Sequence, residues 1–151
     1  MKWITRENAK VDRMACPWLI RRFIDPKAEF LFVPRDQVMA TAEREGATPY
    51  DMPGVKFGHG PDECSFESIL RHHGLTKDPA LVHLGRIVHA ADVEKDESVA
   101  AEGIGLRAIA LGFAILHGTD DRKKLELETP LYDALYAWCV ERSREPGTVP
   151  A

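Results

Sequence analysis

The chain has 151 residues, 44% of them hydrophobic, a length that suits one domain able to bury a core without disulfide or metal staples. Its 20 basic residues against 24 acidic ones give a formal charge of −4, which excludes a general attraction to phosphate backbones and predicts no direct nucleic-acid binding by this chain. The widely spaced Cys16, Cys64 and Cys139 make neither a disulfide framework nor a paired-cysteine zinc motif, and neither a secretory signal nor a membrane-length apolar run is present, so a soluble cytoplasmic protein without membrane association is expected.

Trp3-Ile4-Thr5 is a short β-leaning opening. Asp12 is placed to cap a helix over residues 14–24, with Pro17 near the first turn where a missing N–H costs little. Residues 29–33, Glu-Phe-Leu-Phe-Val, are compact, aromatic and β-branched, and their near-continuous hydrophobicity predicts a central strand covered on both faces. Residues 36–45 have helical composition up to Gly46, and a turn over residues 50–54 leads into a short third strand at residues 55–57.

Beyond Glu63 the pattern is helical. A helix over residues 65–73 stops at Gly74, with His72 and His73 complementing its C-terminal dipole. Asp78-Pro79 starts another that runs to about Val93, with Leu81, Leu84, Ile87, Val88 and Ala91 as its buried stripe. Residues 99–117 are apolar nearly all round and predict the central core helix. Thr129-Pro130 caps a last helix whose inner face is Leu131, Leu135, Trp138 and Cys139, and residues 146–151 are expected to fray. The fold class is α/β (α+β): a small N-terminal β-α-β-α-β sheet packed by a mainly helical C-terminal two-thirds, as a single domain over residues 1–145.

Residues 57–67 concentrate ligand-type groups. Gly58 and Gly60 flank His59 and permit tight backbone geometry, while Glu67 shares a helical face with Glu63 or Cys64. On a later helix His89 and Asp92 are three apart, with Arg86 three earlier and Asp96 in reach. The mixed set His59, Glu67, His89 and Asp92 suits a divalent metal ion such as zinc, manganese or iron(II) better than copper(I). The same residues admit a plainer reading, in which His59 caps a loop, Glu67 pairs with Arg71 and His89 donates to a core carbonyl. Arg13, Arg21 and Arg22 near a helix start offer guanidinium groups to an oxyanion, or pair with acidic neighbours such as Asp25. Cys16, beside helix N-terminal amides, is a candidate redox thiol with lowered pKa or a small buried hydrophobe, Cys64 is a second candidate thiol, and Cys139 is assigned to packing. No Gly-x-Gly-x-x-Gly fingerprint is present, so no nucleotide cofactor is expected.

Residues 11–25, Val-Asp-Arg-Met-Ala-Cys-Pro-Trp-Leu-Ile-Arg-Arg-Phe-Ile-Asp, together with residues 29–34, Phe57-Gly58-His59, Cys64-Ser65-Phe66-Glu67 and His89-Ala90-Ala91-Asp92, resemble the chromate-resistance protein family, the domain forming the C-terminal part of ChrB-type regulators. The resemblance implies a stress-response role in bacterial chromate resistance alongside an efflux transporter. Longer members carry an N-terminal DNA-binding extension, whereas this chain begins at the shared domain, which turns the expectation away from direct transcriptional control. Three readings follow: a sensing module binding a divalent metal and chromate or a similar oxyanion, read by a regulatory protein partner or within a homo-oligomer; a metal- or thiol-dependent enzyme, with chromate reduction as candidate reaction and no catalytic residue assigned; and a structural interaction domain.

Overall fold

The computed structural model describes residues 1–144, so the expected fraying of residues 146–151 lies outside the described residues. Three parallel strands, β1 (Lys2–Arg6), β2 (Glu29–Val33) and β3 (Thr48–Pro49), pair in the order β2-β1-β3. Helix α1 (Asp12–Phe23) crosses from β1 to β2, and α2 (Val38–Glu45) crosses from β2 to β3 and ends on Gly46 at φ 63°. The remaining helices are α3 (Ser65–His72), α4 (Pro79–Asp92), α5 (Glu102–His117) and α6 (Asp121–Arg144), with a 3-10 segment, Glu94–Val99, between α4 and α5. The α+β class is therefore observed. Among the described residues no helix is long and apolar enough to cross a membrane.

The central strand is β1, where Trp3, Ile4 and Thr5 are fully buried, and β2 is an edge. The hydrophobic run in β2 does report cover on both faces: Phe30 and Phe32 pack into the main core, while Leu31 and Val33 meet a second cluster of Ile4, Val38, Ala42 and Ala47. Two covered faces do not require two flanking strands, which is why centrality was misplaced. The third strand falls at Thr48–Pro49, and Phe57 contributes only an isolated bridge to Tyr50.

Helix α4, rather than α5, is the central core helix. Ten of its residues are buried, and the Asp78 side chain accepts from the amides of Ala80 and Leu81 beside Pro79 at its start. Helix α5 packs through Gly103, Leu106 and Ala110 and leaves Ile115 84% and Leu116 74% exposed. A Cβ at Gly103 would stand 2.5 Å from the Ala90 Cβ, so the missing side chain lets α5 sit directly on α4. Helix α6 runs through Pro130 without a break, the Thr129 hydroxyl donating back to the Leu125 carbonyl at 2.6 Å instead of capping a new helix. Cys139 is buried as expected, but Trp138 is 39% exposed.

Candidate functional site

The organising side chain is Asp12. It is not the cap of its own helix, where Val11 holds the cap position without a side-chain bond. Its buried carboxylate caps α3 instead, accepting from the amides of Ser65 at 2.8 Å and Phe66 at 3.0 Å. The Cys16 thiol donates to it at 3.5 Å, one turn along α1. Asp12 thus joins α1 to the start of α3, and His59 closes over it from the preceding loop.

His59 Nε2 lies 3.2 Å from Asp12 Oδ2, 3.1 Å from Asp51 Oδ1 and 3.0 Å from Asp92 Oδ2. These bonds, with Asp12 first, push the His59 pKa up to about 12 against partial burial, so its acid partners favour the protonated imidazole. Burial pushes the Asp12 carboxyl up to about 7, against the hydrogen bond from His59. Burial also works to raise Asp51, but the bonds from His59 and from Ser65 Oγ, at 2.7 Å, outweigh it and hold the group below the ordinary carboxylate value. Local backbone geometry permits this convergence. Asp51 adopts φ 51° in the turn, a conformation that Asp tolerates, and its amide donates to the Phe57 carbonyl at 3.0 Å. A Cβ at Gly58 would stand 2.6 Å from the Met52 carbonyl oxygen, so only glycine lets the loop fold tightly enough to return His59.

A cavity of about 490 Å³ opens beside this cluster, lined by Arg6, Lys10, Arg13, Asp51, His59 and Asp92 with Val11, Met52 and Pro53. Arg6 and Arg13 approach Asp51 Oδ2 at 3.5 and 3.4 Å, and Arg13 also donates to the carbonyls of Arg6 and Glu7. Burial lowers the Arg13 pKa. Four cationic side chains therefore share the wall with two carboxylates.

A second cluster lies at the other flank of the α3 start. Glu67 Oε1 accepts from the Cys64 amide at 3.0 Å in a capping box and meets His89 Nδ1 at 2.5 Å, while His89 Nε2 meets Asp96 Oδ2 at 2.7 Å. Burial works to lower the His89 pKa, but Asp96 and Glu67 outweigh it and the net shift is upward. Within each of two sets, Asp12 with His59 and Asp92, and Cys64 with Glu67 and His89, one ligand atom per residue lies within 4.8 Å of the others.

The four residues expected to share one metal are thus divided, His59 with Asp92 and Glu67 with His89, and His59 and Asp92 line the cavity. Of the three arginines expected at one anion site, Arg13 lines this cavity; Arg21 donates to the Ala28 carbonyl, stacks over Phe30 and lines another cavity, and Arg22 is bidentate on Asp133. Arg71 pairs with Glu63 rather than Glu67. His72 and His73 bond back to the Ser68 and Ile69 carbonyls at the end of α3. Burial raises both Cys16 and Cys64 well above the ordinary thiol value, opposite to the lowering expected of Cys16. Cys16 lies a full turn inside α1, past the free amides of the N-terminus, and the Asp12 charge beside it adds to the upward shift. Sequence reasoning missed Asp12, Asp51, Arg6 and Lys10 as site residues: Asp12 carried a capping signal and Asp51 a turn signal, and neither pattern says where a carboxylate will point.

The fold and this site define a small α+β domain in which a buried acid and histidine network backs a cationic cavity. The chain belongs to the family described as "ChrB, C-terminal domain", which matches residues 3–139 and so includes both clusters. It is 40% identical over 111 residues to "Protein ChrB" of Cupriavidus metallidurans, an alignment covering 74% of this chain and 32% of that protein, so the chain spans about a third of the relative's length. No solved structure matches the chain.

Proposed function

We propose that this domain serves bacterial chromate resistance by binding a tetrahedral dianion, chromate or a close analogue, in the cavity beside His59, and that occupancy is what a partner reads. The observation that carries this is the wall itself: Arg6, Lys10, Arg13 and His59, whose protonated form its acid partners favour, around one cavity. The guanidinium contacts to Asp51, at 3.4 and 3.5 Å, are longer than a good charge-assisted bond, and Arg6 Nε has no hydrogen-bond acceptor among the described residues. A dianion competes with Asp51 for these groups. Asp51 also accepts from Ser65 at the start of α3, so its release is a physical route from anion binding to a helix movement. Family membership supports the chromate context.

Chromate reduction by thiols has less support, because Cys16 and Cys64 are fully buried and burial favours their protonated forms. Calorimetric titration with chromate, and with sulfate as a shape control, tests the binding reading. A charge-assisted hydrogen bond contributes about 1.5–3 kcal/mol, so Arg6→Gln and Arg13→Gln should each weaken chromate on the order of 10–100-fold. Unchanged affinity in both correctly folded variants would remove the proposed site.

A further inference from the structure

Both ring nitrogens of His89 face carboxylate oxygens, Nδ1 toward Glu67 at 2.5 Å and Nε2 toward Asp96 at 2.7 Å. A neutral imidazole carries one N–H, so its bare nitrogen would point lone pair to lone pair at a carboxylate unless an extra proton or a metal cation lies between them. The Cys64 Sγ, in a fully buried side chain, is within 4.8 Å of the Glu67 and His89 ligand atoms. Sulfur, nitrogen and oxygen thus converge on one point between the start of α3 and the end of α4.

We infer that Cys64, Glu67 and His89 form a binding site for a zinc-type transition metal, with Asp96 orienting His89 from behind. Three such donors leave a fourth tetrahedral position for water. The Asp96 contact to the far nitrogen of His89 is the arrangement in which a carboxylate fixes the tautomer of a ligating imidazole and raises its basicity. Two features hold the parts in place. A Cβ at Gly85 would stand 3.3 Å from Glu67 Cγ, so glycine there lets Glu67 lie against α4 one turn before His89. Arg107 donates to the carbonyls of Ala90 and Ala91 and to Glu97, tying the segment that carries Asp96 to the end of α4.

Metal binding displaces the proton shared by His89 and Glu67 and the Cys64 thiol proton. Glu67 Oε1 and His89 Nδ1 then separate from 2.5 Å. Two ligands on a tetrahedral zinc stand about 3.3 Å apart, an opening that rotation of the Glu67 carboxylate supplies. Burial and the neighbouring Asp12 and Glu67 carboxylates oppose a thiolate at Cys64, so the charge of the cation is what stabilises it there. The other convergent set, Asp12 with His59 and Asp92, is a poorer cation site because Arg6, Lys10 and Arg13 share its cavity. The metal site has no ligand in common with the oxyanion cavity, so either can fail without the other.

The test is titration of the chelator-treated full chain with cobalt(II), a spectroscopic stand-in for zinc. The expected result is one equivalent bound with tetrahedral visible bands and a thiolate-to-cobalt charge-transfer band, displaced by zinc, with about two protons released per metal. Cys64→Ser should abolish the charge-transfer band, Asp96→Asn should weaken cobalt about 10–100-fold, and Arg22→Gln, at a side chain paired with Asp133 away from both clusters, should leave the spectrum unchanged. Absence of the charge-transfer band in the wild-type chain overturns the inference irrespective of how the variants fold. So does a band that survives Cys64→Ser, which would place the thiolate at another cysteine.

Discussion

Replacing Glu67 by glutamine removes one charge from the His89 cluster while keeping an amide oxygen to accept from the Cys64 backbone, so the α3 cap is preserved. What is lost is the charge-assisted contact to His89, whose side chain is 10% exposed against 25% for Glu67. Such a bond contributes about 1.5–3 kcal/mol when well buried; partial solvation of Glu67 discounts this to about 1–2 kcal/mol. The pH dependence has a definite sign. Burial pulls the His89 pKa down, but Asp96 and Glu67 hold it above the ordinary histidine value. A histidine raised in the folded state contributes stability that is complete below its unfolded pKa of about 6.5 and is lost as pH rises through the folded value. Glu67→Gln should therefore cost the full amount at a pH below about 6.5 and distinctly less at a pH above the folded His89 value. Urea unfolding of chelator-treated protein at both values measures it, with the His89 ring titration followed by NMR. An equal deficit at both pH values, or a larger one at alkaline pH, would refute the reasoning.

Glycines on α5 should respond with opposite signs. Gly103→Ala drives a Cβ to 2.5 Å from the Ala90 Cβ and 2.9 Å from its carbonyl carbon, and overpacking of this kind costs about 1–3 kcal/mol. Gly105→Ala and Gly112→Ala meet nothing within 4 Å and should each stabilise by up to about 1 kcal/mol; thermal denaturation showing the reverse order would contradict the α4–α5 packing. Cys16, Cys64 and Cys139 are all fully buried, so a thiol-specific chromophoric reagent should react slowly with the native chain and with all three thiols in denaturant, whereas a fast native reaction would contradict this burial.

Local signals were legible where chain and neighbour obey the same rule. Asp78-Pro79 starts α4, Gly46 ends α2, and His72 and His73 bond back into the last turn of α3, because caps depend on residues a few positions apart. The position of β2 was legible but not its place at the edge, since a strand's composition reports cover and not partners. The apolar circumference of α5 misled for a related reason: hydrophobicity says that a helix can be buried, while the packing of Gly103 on Ala90 decides which face is. In the site, His59, Glu67, His89 and Asp92 were visible as ligand types. Their division between two clusters was not, because it depends on Asp12 capping a helix far along the chain and on a left-handed Asp51 turning its carboxylate inward.

Anomalous diffraction at the chromium edge from crystals of the chain soaked in chromate tests the oxyanion reading most directly. The expected result is a chromium peak in the cavity of Arg6, Lys10, Arg13 and His59, within hydrogen-bonding reach of the two guanidinium groups. Chromium ordered instead in the cavity beside Arg21 and Arg122, with the His59 cavity empty, would contradict it.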